Sequence, residues 1–94
     1  MDLNKLLSDW HEAGRNRFES NYNALNYDSY SPKRSVEKTK YICLDEGNSG
    51  AFIIDKTDGS VYRIKSKYGV PNKKKLCGNI GAITGSELNR LRWW

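Results

Sequence analysis

Basic and aromatic side chains alternate between Tyr62 and Lys75, and they carry the clearest chemistry in the sequence. The run Tyr62-Arg-Ile-Lys-Ser-Lys-Tyr68 leads into Lys73-Lys-Lys75. Arg63, Lys65 and Lys67 are spaced by two, so on a strand they form a basic row on one face. Tyr68, Lys73, Lys74 and Lys75 extend that row into a loop stiffened by Gly69 and Pro71. Lys and Arg neutralise phosphates and release counterions, while aromatic faces stack on exposed bases. The segment containing Arg90, Arg92, Trp93 and Trp94 adds two guanidinia and two indoles. Such a Trp pair either folds back onto the core or forms a contact surface. These residues are the candidate nucleic-acid or partner-binding set.

Enzymatic patterns are weaker. His11 is the only histidine. On a helix its i±4 neighbours are Leu7 and Arg15, so no carboxylate there orients it. A general base needs a nucleophile and an orienting partner at one site, and the sequence marks neither. His11 is read as a surface histidine. Cys43 and Cys77 lie in apolar, strand-like runs without redox or metal spacing, so they read as core thiols, with a disulfide as the alternative. The glycine pairs Gly47/Gly50 and Gly78/Gly81 lack the two-helix context of a phosphate clamp and read as turns. No catalytic residue, metal or cofactor is expected, and the chain is read as non-enzymatic.

The charge distribution supports a binding role. The 94 residues carry a net charge of +5. Residues 1–59 hold eight Lys/Arg against ten acids, whereas residues 60–94 hold eight against Glu87 alone. A basic half of this kind attracts phosphate or an acidic protein face. The bland alternative is that lysine runs keep a small domain soluble. No apolar run reaches the roughly 18 residues of a membrane span. No signal-peptide apolar stretch follows Met1, and two cysteines fit a reducing compartment, so a cytoplasmic location without membrane contact is expected.

These residues need elements to position them. Leu3, Leu7, Trp10, Gly14, Phe18, Tyr22 and Leu25 step by three or four, which predicts a helix over about 2–24. Residues 26–38 show no period and read as an irregular arm. Strand-like runs follow at 40–45, 51–55 and 60–65, with a short fourth strand at 76–80. A three-residue turn at Thr57-Asp58-Gly59 would pair Ile54 with Tyr62 and Phe52 with Ile64, placing those four on the core face. Thr84 and Glu87 have capping-box spacing for a short helix over about 85–92. The expected fold is α+β within one domain of residues 1–94. A long N-terminal helix packs on a three- to four-stranded antiparallel sheet, Trp10 and Phe18 touch the core face, and much of the other sheet face is left free to bind.

The run from Asp45 to Pro71 resembles short bacteriophage-encoded proteins of unknown role, over about residues 41–85. That resemblance implies a viral origin and, for a cytoplasmic protein, the host cytoplasm. Three functions then compete. The first is nucleic-acid binding through the Lys/Arg-aromatic surface. The second is inhibition of a host defence complex by contact with an acidic protein surface. The third is a structural or oligomerising role in a virion.

Overall fold

The computed structural model describes residues 3–19, 28–29, 31–64 and 69–92, with backbone only for residues 17–19. Helix α1 (Leu3–Glu19) forms on the predicted stripe, and Leu6, Leu7 and Trp10 turn into the core. Five strands follow: β1 (Lys33–Glu37), β2 (Tyr41–Glu46), β3 (Ser49–Asp55), β4 (Ser60–Ile64) and β5 (Pro71–Asn79). They form one antiparallel meander in the order β1-β2-β3-β4-β5. Helix α2 (Gly85–Leu91) completes the α+β fold. No helix among the described residues is long and apolar enough to cross a membrane.

Both helices cover one face of the sheet. Leu6, Leu7, Trp10 and Leu88 pack there with Leu44, Phe52, Ile54 and Val61. Trp10 is fully buried, and its ring meets Phe52 edge-on at 5.5 Å between centroids. That geometry favours aromatic pairs because the positive ring edge meets a negative face. The expected Trp10 contact is therefore present, while the Phe18 side chain lies outside the described residues. α2 starts with the expected capping box: Thr84 accepts from the Glu87 amide, and the Glu87 carboxylate accepts from the Thr84 amide. Gly85 lets α2 meet α1, since a Cβ at this position would overlap the Trp10 nitrogen and the Asp9 carbonyl carbon.

Several expectations need correction. The sheet has five strands, not three or four. The predicted arm contains β1, an edge strand whose charges hid its pairing. Its Lys33 and Arg34 stand opposite Glu46 and Asp45 of β2, so opposite charges across the strands supply what an apolar period would have. β5 begins at Pro71, so the predicted lysine loop is part of a strand. Between the pairs Tyr62↔Leu76 and Arg63↔Asn72, the three lysines Lys73, Lys74 and Lys75 have no partners on β4 and form a wide bulge.

The β3–β4 register also differs by one residue. Ile53 lies opposite Tyr62, Phe52 opposite Arg63 and Ile54 opposite Val61. The cause is a four-residue turn. Gly59, at φ 78°, donates to the Asp55 carbonyl at 2.8 Å. The Asp55 and Asp58 carboxylates accept from the Thr57 and Ser60 amides at 2.8 and 2.9 Å. Val61 and Arg63 therefore face the helices, and Tyr62 faces away. On the second sheet face, Cys43 and Ile53 at the centre are fully buried.

Candidate functional site

The register change divides the predicted basic set between two sides of the sheet. Arg63 lies on the helix side, with its guanidinium 5.5 Å from the centre of the Phe52 ring. Its Nη1 donates to the Leu91 carbonyl at the end of α2. Burial, and secondarily the nearby Arg92 charge, hold its pKa below the ordinary value. Arg92 turns inward as well, with Nε 3.0 Å from the Glu46 carboxylate. Arg90 is exposed on α2, in the helix layer. These three arginines therefore do not extend the lysine row.

Lys73, the first residue of the bulge, lies on the other side. Lys73 projects over the Tyr62 ring, with its ammonium 4.6 Å from the ring centre and 3.6 Å from the Asp55 carboxylate. Lys74 and Lys75 follow as exposed residues. The Asn72 side chain accepts from the Lys74 amide at 3.1 Å and fixes the start of the bulge. Leu76, the next residue, is 57% exposed. Lys65, Lys67, Tyr68, Trp93 and Trp94 lie outside the described residues. No protein-family model, curated protein or solved structure matches this chain.

A second polar site was missed by the sequence reading. Asn4, Ser8, His11, Glu12 and Arg15 line one side of an open cleft of about 490 Å³, facing Asp28, Pro32 and Lys33. His11 Nε2 and Asp28 Oδ1 are 2.8 Å apart, and Arg15 Nε lies 3.4 Å from the other oxygen of the same carboxylate. The hydrogen bond to His11 is the main cause holding the Asp28 pKa low. The signal was not legible because the partner of His11 is distant along the chain rather than one helical turn away.

A buried ion cluster joins the sheet to the C-terminal side of α2. Lys33 Nζ lies 3.3 Å from Glu46, and its side chain is 1% exposed. The same ammonium donates to the Ser31 carbonyl at 2.8 Å and lies 5.2 Å from the centre of the Trp10 ring. Desolvation is the main cause lowering the Lys33 pKa, opposed by the Glu46 charge. The two cysteines are free thiols, with Cys43 buried and Cys77 partly buried. Burial pushes the Cys77 thiol pKa up, away from a reactive thiolate.

Proposed function

We propose that the protein is a small, non-enzymatic binding module that takes nucleic acid on the lysine bulge of β5. One observation carries this reading: Lys73, Lys74 and Lys75 are consecutive exposed cations in an edge strand, and Lys73 lies on the sheet side away from the helices. Lysines in such an array displace counterions from phosphates, and that release drives binding. A viral accessory role in the host cytoplasm, which the resemblance of residues 41–85 implies, is part of the same proposal.

The test is fluorescence anisotropy with short labelled DNA and RNA across salt concentrations. Binding is expected to weaken steeply between roughly 50 and 200 mM salt. Replacing all three lysines by alanine is expected to remove most of the affinity. Flat salt dependence sinks the proposal.

Leu76 favours a second reading, contact with an acidic protein surface as a host-defence inhibitor would make. It places an exposed apolar side chain directly after the lysines, and the buried cores of interfaces are more apolar than their rims. Recovery of a stable protein complex after nuclease treatment, lost in Leu76→Ser, would select this reading over the first.

A further inference from the structure

We infer that the lysine bulge reads the phosphate backbone and is blind to base sequence. The inference rests on the nucleic-acid reading above and concerns what that surface can distinguish.

Base recognition uses planar donor-acceptor groups aimed at base edges, or open aromatic faces on which bases stack. Described groups of those kinds around the bulge make contacts within the fold. Asn72 spends its side-chain oxygen on the Lys74 amide. Asn79 donates to the Asp58 carbonyl at 2.9 Å and accepts from the Gly81 amide at 2.9 Å. Arg63 caps α2 through the Leu91 carbonyl, on the opposite side of the sheet. The Tyr62 ring carries the Lys73 ammonium, so stacking a base on that face would require displacing a cation also drawn to Asp55.

Lys74 and Lys75 are exposed on the bulge. An ammonium on a flexible stem is a point charge, well matched to a phosphate oxygen and poor at fixing the orientation of a base edge. Phosphate contacts position a protein on a nucleic acid and carry no sequence information. The ligand class is therefore the phosphodiester backbone itself, with separate DNA and RNA arms in the test to show which sugar is accepted.

The experiment titrates the full chain against labelled duplexes of equal length, one of A·T pairs and one of G·C pairs, each as DNA and RNA. Affinities within one sugar series are expected to agree within about threefold, because no base-edge contact contributes its usual discrimination. Lys74→Ala/Lys75→Ala is expected to reduce the slope of log K against log salt by about 2. The control Lys38→Ala/Lys40→Ala removes the same charge from the β1–β2 turn and is expected to keep the slope within about half a unit. Unchanged thermal melting of both variants shows that folding is intact. Salt-dependent binding with more than about tenfold preference for one composition overturns the inference while the nucleic-acid reading stands. An unchanged slope in Lys74→Ala/Lys75→Ala overturns the assignment to the bulge. The absence of salt-dependent binding to every probe overturns the nucleic-acid reading itself.

Discussion

Lys33 keeps an ammonium almost out of water, held by Glu46 and the Ser31 carbonyl. Glu46 also faces Arg92, so one carboxylate compensates two cations. Removing one partner of a buried pair leaves an uncompensated charge, at a cost of about 3–5 kcal/mol. Glu46→Ala is expected to lose stability on that scale in urea unfolding, a large share of the roughly 5–15 kcal/mol of a typical domain. Asp28 and Asp55 contribute to the acid sensitivity of the fold. The hydrogen bond to His11 lowers the first, and the bond from the Thr57 backbone lowers the second. Each group binds its proton less readily folded than unfolded. Its contribution is therefore complete above the unfolded carboxylate pKa and is lost as pH falls through the folded value. Urea midpoints measured downward from pH 5 are expected to decline below about pH 4, and Asp55→Asn is expected to show a shallower decline. Arg63 and Arg92 mark the limit of legibility at this scale. Their charge reads directly from the sequence, but contacts with Leu91 and Glu46 depend on a tertiary packing that spacing does not encode.

Helix α1 was legible because its apolar period is strong, and α2 because a capping box is a local signal that tertiary context left intact. β1 was not, because Lys33, Arg34 and Glu37 make its pattern look like solvated loop. The β3–β4 register failed for a related reason. Phe52 beside Arg63 looks unfavourable until the guanidinium is seen over the ring and bonded to α2. The Lys73–Lys75 bulge was recognised as basic and exposed but not as part of an edge strand. Bulges and edge lysines also discourage unwanted pairing of strand edges, so this feature serves the fold as well as the proposed site. The helix-helix contact gives the sharpest test at this scale. Gly85→Ala forces backbone apart and is expected to cost about 1–3 kcal/mol or more. Thr84→Ala, one residue earlier, removes only the cap and is expected to cost about 1 kcal/mol. Thermal melting of the two variants checks the order.

For the whole molecule, the split between an acidic front and a basic back survives as composition but not as two territories. Glu46 from the front binds Arg92 from the back, and Asp55 receives Lys73. Much of the predicted α+β architecture was legible because helix and strand periods differ and the elements follow one another simply. The candidate site was legible in its lysines and obscured in its arginines, because only the completed fold decides which cations face inward. The contact between Gly85 and the Asp9-Trp10 backbone joins opposite ends of the described chain, while the sheet between them is built from neighbouring hairpins. Local pairs close early, whereas a loop this long closes late. The docking of α2 on α1 therefore belongs on the far side of the folding barrier. In stopped-flow chevrons, Gly85→Ala is expected to accelerate unfolding and leave the refolding rate nearly unchanged. A refolding limb slowed in proportion to the lost stability would instead place that contact in the folding nucleus. In the expected case, the glycine that permits two helices to touch governs how long the native state lasts rather than how quickly it is reached.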